Sequence, residues 1–242
     1  MRKQLFIAGS LLAAALAGLP GLSLAGDIAS IQPIGFSADG KVFAFQEFGI
    51  KEGSNVPYSN TYFIDTDKGQ YLEGTPFRTE LTDQDANLSK ARRQNLTAAR
   101  GQMDKYDLLT NPGLIAAFNP PTELGSPAKT LRYTTLATDG PPKSPYTLSL
   151  GELPIAVPKD CAAIAKRVLG FSLQMIEKEG APNRQAARQV QTVPAERACS
   201  VEYRIGGAVV YQPEAANQVH IALVLAFDAQ RNGRWIAVPV HP

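Results

Sequence analysis

Strict alternation of large and small apolar residues is the clearest pattern in the chain. Val219, Ile221, Leu223, Leu225 and Phe227 alternate with His220, Ala222, Val224 and Ala226. Side chains on a strand point to opposite faces in turn, so this run predicts a strand with its large residues on one face. Arg231-Asn232-Gly233 reads as a turn, and Trp235 to Val238 as the returning partner. Just upstream, Val201, Tyr203 and Ile205 alternate with Glu202 and Arg204, the mark of a half-buried strand.

The other end of the chain has a different pattern. Asp39-Gly40 forms a tight turn before the continuous apolar run Val42-Phe43-Ala44-Phe45, as expected of a strand buried on both faces. Loop chemistry follows over 49–59. Thr61-Tyr62-Phe63-Ile64 then reads as a strand, and Asp65 to Gly69 as a second turn into Gln70-Tyr71-Leu72. Together these short strands predict a meander. Beyond it, Leu88, Ala91, Leu96, Ala99, Met103 and Tyr106 recur at helical spacing. Thr82 or Asp83 is the expected cap of this one long helix, and Asn111-Pro112-Gly113 its stop. The interspersed Lys90, Arg92, Arg93, Arg100 and Lys105 read most simply as a solvated face, with an anion-binding surface as the functional alternative. Pro- and Gly-rich loops fill 119–129 and 139–145, while 131–133 and 146–150 read as strands. A short helix is expected over 161–169, ending at Gly170, before Phe171, Leu173 and Met175 alternate again.

The N-terminus changes the picture of where the protein works. Arg2 and Lys3 precede an uncharged apolar run over 5–18. Leu19-Pro20-Gly21 then breaks the helix ahead of Ser23-Leu24-Ala25. This is the pattern of a secretory signal cut between Ala25 and Gly26, and the run is shorter than the roughly 20 residues that span a bilayer. Cleavage takes the chain from 24 basic and 22 acidic groups to 22 of each. The basic pI of the full chain therefore gives no support for nucleic-acid binding, and no stable membrane insertion is expected after cleavage. With 44% hydrophobic residues and only 2 Cys, the composition is that of a globular chain rather than a disordered or disulfide-dense one. In an oxidising compartment, Cys161 and Cys199 are expected to pair, closing a loop of about 39 residues and contributing about 4 kcal/mol.

Few residues carry a chemical signature. His220 and His241 are the only histidines, and neither accompanies a nucleophile elbow, so His220 reads as a surface strand residue and His241 as part of a tail. Asp65-x-Asp67-x-Gly69 with Glu73 has alternating carboxylates, but Lys68 interrupts it, and a hairpin turn fits better than Ca²⁺. There is no zinc spacing and no phosphate loop, so no metal or cofactor is expected. Glu47 is the acid of most interest. It follows an apolar strand and precedes a loop whose Tyr58 and Asn60 can line a pocket with it; the simpler reading is that it marks the strand end.

The stretch from Gly35 through Gly49, with Pro57-Tyr58 and Phe63-Ile64-Asp65, resembles the opening signature of a family of secreted bacterial proteins known as domain of unknown function 2259. Cys199, Tyr203-Arg204-Ile205 and Arg234 to Pro239 are similar to that family's C-terminal pattern. The resemblance implies export and supplies no activity or ligand. Residues 36–45 alone also resemble one Asp-Gly repeat of β-propellers, with a possible echo at Thr138-Asp139-Gly140, but propellers need typically 4–8 such blades.

The expected fold is mainly β, of the α+β class: an N-terminal β-meander, one long helix, and a C-terminal antiparallel sheet or sandwich with one disulfide. The expected division is a signal peptide at 1–25, the meander plus helix at 26–118, a linker or loops at 119–145, and the C-terminal lobe at 146–242. The function expected is that of an exported periplasmic or secreted module, non-catalytic, binding a protein or envelope component. The alternative is a hydrolase acting on an envelope component through Glu47, Asp39 or Asp65. These two readings differ in whether those acids share one cleft. Oligomeric state leaves no mark in the sequence.

Overall fold

A computed structural model describes residues 26–136, 144–183 and 188–240. The signal segment, the Asp139-Gly140 echo and His241 lie outside the described residues. Among the described residues the chain is mostly β with one α-helix, as the periodicities predict. Strands β1 (Ser30–Phe36), β2 (Val42–Ile50), β3 (Pro57–Asp65), β4 (Gln70–Tyr71) and β5 (Phe77–Glu80) form a meander sheet in the order β1-β2-β3-β4, with β5 also on β3. The turn between β1 and β2 holds Gly40 at φ +74°, with Asp39 accepting from the Ser37 hydroxyl at 2.6 Å and the Lys41 N–H at 3.0 Å. Glycine takes that left-handed conformation without a Cβ penalty.

Helix α1 (Leu88–Lys105) is capped by Asn87, whose side chain accepts from the Lys90 N–H at 2.9 Å. Thr82 and Asp83, the expected caps, lie upstream of the helix; Asp83 instead pairs with Lys90 at 2.6 Å. Ala91, Asn95, Ala99 and Met103 form the buried stripe. They cover the outer face of the meander, where Ala99 and Met103 meet Val42, Ala44 and Phe63. Asn95 satisfies its buried amide against Thr61 Oγ1 at 2.6 Å and the Phe77 carbonyl at 2.9 Å.

Next come β6 (Leu114–Phe118), β7 (Thr130–Tyr133), β8 (Tyr146–Ile155), β9 (Val168–Lys178), β10 (Ala181–Pro182) and β11 (Gln189–Val190). All of these except β6 form an outer sheet, in the order β10-β9-β8-β7 with β11 on β9. The short helix expected over 161–169 is instead a 3-10 turn at Lys159–Cys161, and Val168 already opens β9. The disulfide Cys161–Cys199 forms as expected, with Cα atoms 5.3 Å apart. It ties this turn to the segment that enters β12 (Glu202–Tyr211), which continues into β13 (Val219–Phe227) and β14 (Gly233–Val240).

The central sheet runs β14-β13-β12-β6, so it draws strands from both sides of the 119–145 segment. It is covered on both faces. Ile221, Leu223, Leu225 and Phe227 pack on Phe36, Phe43, Phe45, Tyr58 and Tyr62 of the meander. Ala222, Val224 and Ala226 face Leu148, Phe171, Leu173 and Met175 of the outer sheet. The size alternation along β13 thus marks two different interfaces. Gly206 on β12 is required where the Trp235 ring crosses it, since a Cβ there would lie 2.5 Å from the ring.

Candidate functional site: a cleft over the open edge of the central sheet

Strand β14 borders the central sheet, and its free edge is partly occupied. The Gly233 N–H donates to the Asp27 carbonyl at 2.9 Å, and the Ala29 N–H donates to the Gly233 carbonyl at 2.9 Å, a short parallel pairing centred on Ile28. Two residues on, the Trp235 N–H donates to Glu47 Oε2 at 2.9 Å. The register with β13 is unbroken from Gly233 to Val240. Residues 233, 235, 237 and 239 therefore all turn their backbone groups away from β13. Pro239, which has no N–H, sits in this phase as an edge proline should.

Glu47 is fully buried. Its Oε1 accepts from Arg197 Nη2 at 2.8 Å, from the Tyr62 hydroxyl at 2.8 Å and from Asn60 Nδ2 at 3.2 Å. Arg197 is also buried, and its Nη2 donates to the Tyr62 hydroxyl at 3.0 Å. Burial works against the Arg197 charge, but the Glu47 carboxylate beside it prevails and holds its pKa above the usual arginine value. Burial, and then the negative charge of Glu47, push the Tyr62 phenol well up, so it stays a neutral donor. The 3-10 turn Ala195–Arg197, two residues from the disulfide, delivers the guanidinium. A second pair, Asp27 and Arg234 at 2.6 Å, lies at the other end of the covered edge, with the Tyr58 hydroxyl 3.3 Å from Asp27 Oδ1.

The residues expected to line a pocket are thus close together but turn inward. Glu47 and Asn60 are cross-strand partners, and Tyr58 is buried two residues away. None of the three borders the cleft described next. Nor does Glu47 end its strand, since β2 continues to Ile50. Asp39 and Asp65 hold separate turns. A hydrogen bond from Ser37 keeps the Asp39 carboxyl below its ordinary pKa. Burial pushes the Asp65 carboxyl up, but donors from the Lys68 and Asp67 backbone and the Lys68 side chain outweigh it and leave its pKa lowered.

His220, expected on the surface, is buried because both faces of the central sheet are covered. Its Nδ1 is 2.8 Å from the Tyr133 hydroxyl and its Nε2 is 2.9 Å from Gln218 Oε1. The amide oxygen can only accept, so Nε2 carries the proton and Nδ1 accepts from Tyr133. Burial, reinforced by the charge of Lys178, lowers its pKa to about 4.

Past Trp235 the edge of β14 lies unpaired at the bottom of a cleft of about 310 Å³, where Ile236, Ala237 and Val238 are each at most 5% exposed. Ile236, Ala237 and Val238 form its floor. Gly69 to Tyr71 at β4 form one wall, and Val190 to Thr192 with Pro194 form the other. Edges of all three sheets therefore converge here. Val190 is 69% exposed, and among the described residues no acidic side chain lines the cleft. The Ala237 N–H and carbonyl have no hydrogen-bond partner among the described residues. No segment of the sequence marks this site, since it depends on which strand ends the sheet. A larger groove of about 660 Å³ lies between α1 and β1, bordered by Arg93 and Arg100, but Arg100 is held by Asp104 at 2.8 Å. Among the described residues there is no cluster of metal-ligating side chains, and no helix is long and apolar enough to cross a membrane.

A family model described as "Predicted secreted protein (DUF2259)" matches residues 44–241. No curated protein matches the chain.

Proposed function

Because the chain belongs to the DUF2259 family of predicted secreted proteins, we propose that it is a non-catalytic binding module of the cell envelope, periplasmic or secreted, that holds a partner protein in the cleft over β14. The observation that carries this reading is the cleft floor, an unpaired strand edge between two walls, with an exposed Val190 at its mouth. An open edge flanked by apolar side chains is a recognised protein-binding feature. The acids that a hydrolase needs side by side are dispersed instead, Asp39 and Asp65 in turns and Glu47 in a buried ion pair.

The test is a photoreactive benzoyl-phenylalanine in place of Val190 in the exported protein, irradiated in the intact cell. The expected result is a discrete adduct with one envelope protein, with none from the same group at Leu124, which is 99% exposed far from the cleft in sequence. Equal adducts from both positions, or none from Val190, would overturn the reading.

A further inference from the structure

We infer that the cleft takes its partner as an extended peptide segment, added as a strand alongside β14 and hydrogen-bonded to the backbone of Ala237. The inference rests on the binding role proposed above and specifies what is bound. Its basis is the phase of β14. Three observations fix that phase: the outward bonds of Gly233, the outward N–H of Trp235, and the absence of an N–H at Pro239. Ala237 then presents both an N–H and a carbonyl to the cleft, and the carbonyl of Pro239 faces the same way.

The same edge already holds extended chain. Residues 27–29 pair with Gly233 by main-chain hydrogen bonds, and Glu47 occupies the next position. A bound segment would extend this edge interface by one further site. The open stretch is short, about three residues at a rise of 3.3 Å each. Side chains of an added strand alternate between the two walls. One wall offers Val190 and Pro194 and the other Gly69 and Gln70, so the preferred segment alternates apolar with small polar residues. With no acid on the lining and Lys68 at the rim, a basic segment gains nothing here.

The probe is a capped heptapeptide of alternating valine and threonine, titrated into the purified protein with amide resonances and hydrogen exchange as readouts. The expected result is saturable binding in which the Ala237 amide exchanges at least about tenfold more slowly, the scale of one backbone hydrogen bond gained. Ala237→Pro removes the outward N–H without taking a ladder bond from β13, and should weaken binding about tenfold. If that variant does not fold, exchange in the unaltered protein decides alone. Binding that leaves the Ala237 amide unprotected overturns strand addition and leaves the cleft reading intact. No binding of the peptide, with a Val190 adduct still formed in cells, does the same. Protection at Ala237 without any cellular adduct keeps strand addition and removes the envelope-partner reading, and failure of both removes both.

Discussion

The two interfaces of the central sheet solve the same burial problem with different polar groups. Toward the meander, large aliphatic residues of β13 meet a layer of aromatic rings, Phe45 and Tyr62 stacking at 4.8 Å, and two ion pairs are sealed along the β14 edge. Toward the outer sheet, small residues of β13 meet Leu148, Phe171, Leu173 and Met175, and a neutral histidine with tyrosine and glutamine partners supplies the polar contact. A buried charge persists where several donors converge on it, as four do on Glu47. Where only one donor and one acceptor are within reach, the group that persists is one that stays neutral. The charged side is also the side that shapes the edge of β14 and so bounds the cleft.

The largest effect expected from this contrast comes from separating the charges. Arg197→Met leaves the Glu47 carboxylate buried with no counter-charge and should destabilise the fold by about 3–5 kcal/mol. Adding Glu47→Gln in the same chain should recover more than half of that loss, because the uncompensated charge is then gone. Urea unfolding of the unaltered protein and the two variants measures both numbers. A single variant that loses less than about 1 kcal/mol would remove the ion pair from the list of what holds the meander to the central sheet.

The neutral side predicts a pH dependence of comparable size. His220 titrates at about 4 in the fold and near its ordinary 6.5 in the unfolded chain. Between those values the unfolded chain binds a proton that the folded chain does not, so stability falls as the pH falls. The contribution is fully present above about 6.5 and is lost progressively toward 4, about 3 kcal/mol in all. Carboxylates also titrate at the lower end, so the measurement is the difference between the unaltered protein and His220→Gln across that range. Parallel stability curves would show that the imidazole is not held neutral by its surroundings.

The strands and the helix were legible because their periods are local. The alternation of β13 and the two-sided apolar run of β2 each declare their burial within a few residues, and both are buried on both faces. What escaped depends on distant pairing. Leu114–Phe118 is a five-residue apolar run without alternation, and becomes strand β6 only by pairing with β12 some ninety positions on. The Ala-rich stretch after Cys161 has helical composition, but pairing of Val168 with Ile155 carries it into the sheet. The cap of α1 is Asn87 rather than Thr82 or Asp83, because several capping side chains stand in a row before the helix and sequence alone does not rank them. Glu47 stands out in the sequence as an acid that follows an apolar run, yet its partner Arg197 is 150 positions away with no local signal. The open edge of β14 is a property of strand order, which no single segment encodes.

The smallest and sharpest test makes one chemical change on each side. Tyr62→Phe removes a hydroxyl that donates to Glu47 and accepts from Arg197, so both lost bonds are charge-assisted and the loss should be about 2–3 kcal/mol. Tyr133→Phe removes one neutral bond to His220 Nδ1 and should cost about 1 kcal/mol, since Gln218 still holds the other nitrogen. Both rings are buried and stack on a neighbouring tyrosine or phenylalanine, so packing changes little in either variant and the difference reports the polar partner. If the two variants lose equal stability in urea, the contrast between a charged and a neutral interface carries no energetic weight. If Tyr62→Phe alone also weakens the adduct formed at Val190, the ion pair beside Trp235 sets the geometry of the open edge as well as the stability of the fold.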